Sequence, residues 1–257
     1  MRVLTLLLVV AALSVSCTTS TTTPEPAPDY VLLASQTVDG VTVELFADQS
    51  FRAGYNPVYV KVVKNGARVE TATVQLAPLM DMGMMKHSCP VEQPDQTANA
   101  YGYFAGAVVF TMAGTSDQWS LDVTVDDPAL GFDHTITFPV NVDASSNVVV
   151  AANGMERTIF TLVDKPWKTG MNDVQVLLHR TTDGHEFHAL EGETLHIDPT
   201  MPSMGHGSSG NVHPVHHQHG WYHGKVNFTM TGDWDIAVMT MAEGMPKQTA
   251  HFAVEVK

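Results

Sequence analysis

Apolar and polar residues alternate along most of this chain. In Trp119-Ser-Leu-Asp-Val-Thr-Val125, the residues Trp119, Leu121, Val123 and Val125 share one face and polar residues share the other. That two-residue period belongs to a half-buried strand. Residues 135–140 and 250–256 show the same alternation. Residues 58–63 are β-branched and aromatic and stop at Lys64-Asn65-Gly66, a turn signal. No stretch keeps a helical period. The pattern predicts an all-β chain of short strands.

The pattern also occurs twice. Tyr103, Gly106, Phe110-Thr111-Met112-Ala113-Gly114 and Trp119 return as Tyr222, Gly224, Phe228-Thr229-Met230-Thr231-Gly232 and Trp234. Upstream, Gly54-Tyr55-Asn56 matches Gly170-Met171-Asn172, and Pro78 with Met80 matches Pro199 with Met201. Order is kept and spacing drifts by only a few residues, so the chain reads as a tandem duplication. The expected copies are 31–143 and 148–257, joined by a short hinge at 143–147. Copies of this size with many short strands and turns predict two tandem immunoglobulin-like β-sandwich domains, with a closed barrel as the alternative. Met112 and Met230 alternate with Phe110 and Phe228, which predicts core positions for both.

The N-terminus reads differently. Met1-Arg2 precedes an apolar run from Val3 to Leu13 that is too short to span a bilayer but suits the core of a signal peptide. Small residues and Cys17 follow, resembling a lipoprotein processing site, although Ser14 stands where a Leu is usual. This predicts a signal peptide at 1–16, lipidation of Cys17 and a flexible tether over 17–30, which is rich in Thr, Ser, Pro and Ala. An ordinary cleaved secretory signal is the alternative. Either way the folded part is expected outside the cytoplasm, in a bacterial cell envelope, on a lipid anchor at the inner or outer membrane.

Composition narrows the function. Thirteen Lys plus Arg against 27 Asp plus Glu give a net charge of −14, which argues against a nucleic-acid partner. The chain has 14 Met and 13 His, and both types cluster. One loop carries Met80, Met82, Met84, Met85, His87 and Cys89. The matching loop carries Met201, Met204 and His206 and leads to His213, His216, His217, His219 and His223. Gly, Pro, Asp and Lys between the methionines form no core stripe. Thioethers are soft donors that prefer Cu(I), and imidazole also suits Cu(II) and Zn(II). Thioethers stay usable where thiols oxidise. Cys89 is open to three readings: inert core thiol, intermolecular disulfide or metal ligand. Cys89-Pro90 is aligned with His213-Pro214. His134, His179, His185, His188, His196 and His251 are scattered and read as ordinary. No nucleophile, phosphate-loop or zinc-protease motif is found, so an enzyme is not expected.

The two Met/His loops, together with the downstream Gly, Phe-x-Met-x-Gly and Trp, resemble the YtkA-like domain, related to FixH, over both copies. The resemblance implies an extracytoplasmic β-sandwich linked to copper handling and cytochrome oxidase assembly. It implies copper ligands at Met80, Met82 and His87 and at Met201, Met204 and His206. Met84, Met85 or Cys89 would complete the first set, and His213, His217 and His219 extend the second toward Cu(II) or zinc. A lipid anchor would replace the membrane helix of FixH proteins, and the partner would be a membrane-bound copper protein or oxidase subunit. A structural or adhesive surface protein with polar, His-rich loops is the alternative, as is zinc capture by the second copy.

Overall fold

The computed structural model describes residues 28–257. The expected signal peptide, Cys17 and most of the tether lie outside the described residues. Among the described residues every regular element is a strand. The first set is β1 (Val31–Val38), β2 (Val41–Ala47), β3 (Gly54–Lys64), β4 (Ala67–Arg68), β5 (Thr73–Asp81), β6 (Lys86–His87), β7 (Val91–Glu92), β8 (Phe104–Phe110), β9 (Trp119–Asp127) and β10 (Phe132–Pro139). One sheet runs β1-β2-β3-β8-β7 with β4 beside β3; the other runs β10-β9-β5-β6. The second set is β11 (Val148–Asn153), β12 (Glu156–Leu162), β13 (Gly170–Thr181), β14 (His188–Ala189), β15 (Thr194–Met201), β16 (His206–Gly207), β17 (Val212–Gln218), β18 (Trp221–Phe228), β19 (Gly232–Ala242) and β20 (Met245–Val256). Its sheets run β11-β12-β13-β18-β17 with β14 beside β13, and β16-β15-β19-β20. Each strand has its counterpart in the other set, so the protein is two tandem β-sandwiches of one topology.

Alternation builds each core. Val41, Val43 and Leu45 of β2 are fully buried, as are Trp119, Leu121, Val123 and Val125 of β9, and the residues between them are only half-buried. Each such aliphatic side chain contributes about 1.5–3 kcal/mol. The repeated Gly-x-Asn motif is a corner clamp. Asn56 Nδ2 donates to the carbonyls of Arg52 (2.7 Å) and Gly54 (2.8 Å), and Asn172 Nδ2 donates to those of Lys168 (2.7 Å) and Gly170 (2.8 Å). The corner needs φ of +109° at Gly54 and +94° at Gly170, which disfavours any side chain.

Each end of the 143–147 connection is bonded to its own sandwich. Asp143 N–H donates to Phe51 O, and the carbonyl of the buried Asn147 accepts from Leu162 N–H. Between the sandwiches lies a third apolar cluster. Val109 packs there on Ile159 and Leu177, flanked by Tyr55 and Trp221. The Glu92 carboxylate accepts from Tyr55 Oη at 2.8 Å and from Trp221 Nε1 at 2.7 Å, so it joins a ring from each sandwich. Burial, with Glu92 alongside, holds the Tyr55 phenol well above its usual pKa. Ser88 N–H donates to Gly184 O at 2.9 Å, and Arg52 pairs with Asp164.

His179 sits on β13 beside Ile159 at this interface, and its Nδ1 has no partner. Burial pushes its pKa from 6.5 down to about 4. The unfolded chain gains a proton as pH falls through 6.5, and the folded chain gains it only near 4. Between those values this residue removes roughly 1.4 kcal/mol of stability per pH unit. Urea unfolding at pH 7, 5.5 and 4.5 should therefore show a steeper loss in the native chain than in His179→Gln.

Candidate metal centre

The Met/His residues gather at one end of each sandwich, around a buried tryptophan. In the first, Met80 on β5 lies directly opposite Trp119 on β9 and opposite His87 on β6. Directly opposed residues present side chains to the same face, so the three form one row. Met80 and Trp119 are buried, and the His87 ring meets Trp119 edge-on at 5.6 Å. The second sandwich rebuilds the row. Met201 opposes His206, and the His206 ring lies 5.8 Å from Trp234 in a similar edge contact.

The Trp side chains also explain the Phe-x-Met-x-Gly motif. Trp119 Nε1 donates to Met112 O at 3.2 Å, and Trp234 Nε1 donates to Met230 O at 3.1 Å. Strands β8 and β18 end at Phe110 and Phe228, so the next residues turn away from the sheet. Met112 and Met230 are therefore not core residues: their carbonyls satisfy the indoles, and their side chains are 41% and 39% exposed. The glycines give the buried thioethers room. A Cβ on Gly114 would lie 3.0 Å from Met80 Cε, and one on Gly232 would lie 2.6 Å from Met201 Cε.

The histidines are oriented by backbone. His87 Nδ1 lies 2.9 Å from Ser88 O, and His206 Nδ1 lies 3.0 Å from Gly207 O. A carbonyl can only accept, so Nδ1 carries the proton and the lone pair is on Nε2. This is the usual second interaction of a metal-binding imidazole. His87 Nε2 is buried and has no hydrogen-bond partner. The loop before it is tight: Gly83 N–H donates to Asp81 Oδ1, Met82 N–H donates to Met85 O, and Lys86 pairs with Asp81 at 2.8 Å. Lys86 and the Gly83 N–H hold the Asp81 carboxyl below its usual range. Met82, Met85 and His87 line a cleft of about 410 Å³ between the sandwiches. Met84 points fully into solvent.

Other expected ligands are placed elsewhere. Cys89 is packed in the first core, and burial alone raises its thiol well above the usual range, away from the thiolate a metal needs. The alignment of Cys89-Pro90 with His213-Pro214 is corrected. Gln93 Oε1 accepts from Leu76 N–H at 2.8 Å on the open edge of β5, and His213 Nδ1 accepts from Ile197 N–H at 3.1 Å on the edge of β15. Pro94 and Pro214 lie against Gly106 and Gly224 in the same way. His213 thus matches Gln93 and stitches a strand edge. Its ring stacks at 4.1 Å on His196, which reads as ordinary in sequence and whose one signal is its outward position in the alternation of β15. His217 stacks on His223 at 4.9 Å. His219 occupies a hairpin turn with Gly220, both at positive φ, and its side chain is mostly exposed. Met204 is exposed on its loop. Among the described residues no three His, Cys, Asp or Glu side chains converge; strand pairing sets one thioether across from one imidazole at each end. That set fits Cu(I).

This arrangement defines a tandem β-sandwich protein with a Met/His cluster at one end of each repeat. Residues 151–239, within the second sandwich, match the family model described as YtkA-like. No curated protein matches the chain. Solved structures show distant likeness. FdeC, an Escherichia coli adhesin, is 18% identical with a TM-score of 0.27, over 87% of this chain and 65% of that one. Invasin, a bacterial integrin-binding protein, is 14% identical with a TM-score of 0.29, over 84% and 39%. Surface layer protein SbsC, domains 4–9, is 13% identical with a TM-score of 0.34, over 89% and 32%. The chain spans less than two thirds of each, and scores this low assign no function.

The Gly–Met contact predicts a measurable coupling. Gly232→Ala should cost about 1–3 kcal/mol in urea unfolding, from φ of +123° and the clash with Met201. In a Met201→Ala background the added cost should be smaller, and a double-mutant cycle reads the difference.

Proposed function

We propose that the protein binds Cu(I) as cargo at the Met/His end of each sandwich, tethered outside the cytoplasm by a lipid on Cys17. The observation that carries this reading is the buried, unpartnered Nε2 of His87, held in the metal-accepting tautomer beside thioethers. A buried polar atom without a partner costs free energy, and a soft cation would use that lone pair. The YtkA-like match over residues 151–239 is consistent with the reading.

The chain's own residues suit a carrier. Met80 and Met201 sit across from the histidines on rigid strands, while Met82, Met85 and Met204 sit on exposed loops. Thioethers are neutral, so a partner can displace them without proton release. The net charge of −14 favours a basic partner face and salt-sensitive encounter. The partner we propose is a membrane-bound copper protein or oxidase subunit.

Anaerobic Cu(I) competition against a chromophoric chelator tests the reading. Met80→Leu/Met82→Leu/His87→Gln should remove one tightly bound equivalent, and Met201→Leu/Met204→Leu/His206→Gln should remove a second. Unchanged stoichiometry in both triple variants would sink it. For the anchor, Cys17→Ser should move the protein from the membrane fraction to the soluble fraction. Unchanged partitioning would refute lipidation there.

A further inference from the structure

The interdomain cleft is built from both sandwiches, and its thioethers extend beyond the His87 loop. Met82 and Met85 line it from that loop, and Met112 lines it from the turn after β8. Across the gap stands Met155, in the turn between β11 and β12 of the second sandwich. Four thioethers and the His87 imidazole therefore surround one space of about 410 Å³. Met155 is 79% exposed, so core packing does not account for it. Met112 has left its strand and is likewise no core filler.

The geometry is held from both sides. Ser88, next to His87, donates its N–H to Gly184 O of the second sandwich, and the Cβ that Gly184 lacks would lie 3.6 Å from His87 Cβ. Arg157 Nη1 donates to Gly154 O at 3.2 Å and steadies the turn that presents Met155. Asp183 also lines the cleft, but its Oδ1 accepts from Thr181 and from the N–H groups of His185 and Glu186. His87 Nε2 is buried without a partner beside the sulfurs.

We propose that this cleft is a two-domain Cu(I) site, in which Met155 and Met112 complete the shell begun by Met82, Met85 and His87. The proposal rests on the copper reading above and adds that the first site is assembled by the contact between the repeats. A ligand that binds only the joined pair must also stabilise the joined pair.

The test uses the full chain with the second loop silenced by Met204→Leu/His206→Gln, both on its exposed side. In that background Met155→Leu and Met112→Leu should each weaken Cu(I) by about tenfold or more, with copper-free melting temperatures unchanged. Copper X-ray absorption should lose sulfur scattering in each. Met245→Leu, at the exposed start of β20 outside the cleft, should bind as the background does. If the background binds Cu(I) tightly, and His87→Gln weakens it while Met155→Leu and Met112→Leu do not, the two-domain site is wrong and the copper reading stands. If the intact native chain shows no tight Cu(I) binding, both fall.

Discussion

The architecture of each Met/His end depends on satisfying one buried indole N–H. Trp119 and Trp234 are too deep for water, and an unpaired donor there would cost a few kcal/mol. Each finds a main-chain carbonyl in the turn that follows β8 or β18. That turn forces the chain off the sheet and throws a methionine outward. It also brings a glycine against the tryptophan or the buried thioether. The histidine then lies edge-on to the same ring. The chemistry-bearing residues are thus arranged by a hydrogen-bonding requirement of the core.

Much of this was legible in the chain, for identifiable reasons. Strict alternation in β9 and the Asn65-Gly66 turn announced strands, because burial on one face imposes a two-residue period. The duplication was visible because Gly54, Asn56, Trp119 and their counterparts answer local constraints that tolerate few substitutes. Reading failed where neighbours in space decided the outcome. Met112 and Met230 continue the alternation of the preceding strand, and only the capture of their carbonyls by tryptophan shows that the strand has ended. Cys89 stood among ligand-like residues, yet β6 and β7 fold it into the core. His213 was misaligned with Cys89 because a following proline is a weak anchor. The strand-edge role it shares with Gln93 is invisible without coordinates. The convergence of Met155 on the first loop lies beyond any local pattern.

Duplication has produced two ends of the same construction in different surroundings. The row of Met, Trp and His is repeated, with the same histidine tautomer and the same tryptophan acceptor. The first row faces a neighbour: Ser88 is bonded to Gly184, and His87 Nε2 is enclosed. In the second, Met204 projects from its loop. The repeated row therefore meets unequal surroundings at its two ends.

The carboxylate of Glu92 has a mechanical consequence. It holds Tyr55 and Trp221 at once, over an apolar cluster that shearing would wet. Hydrogen bonds to a charged acceptor are among the stronger ones in proteins, and here two share one anchor. Bending one sandwich against the other would have to break both while exposing Val109, Ile159 and Leu177. The contact resists bending at that point, because it couples the loss of both hydrogen bonds to the wetting of the apolar cluster.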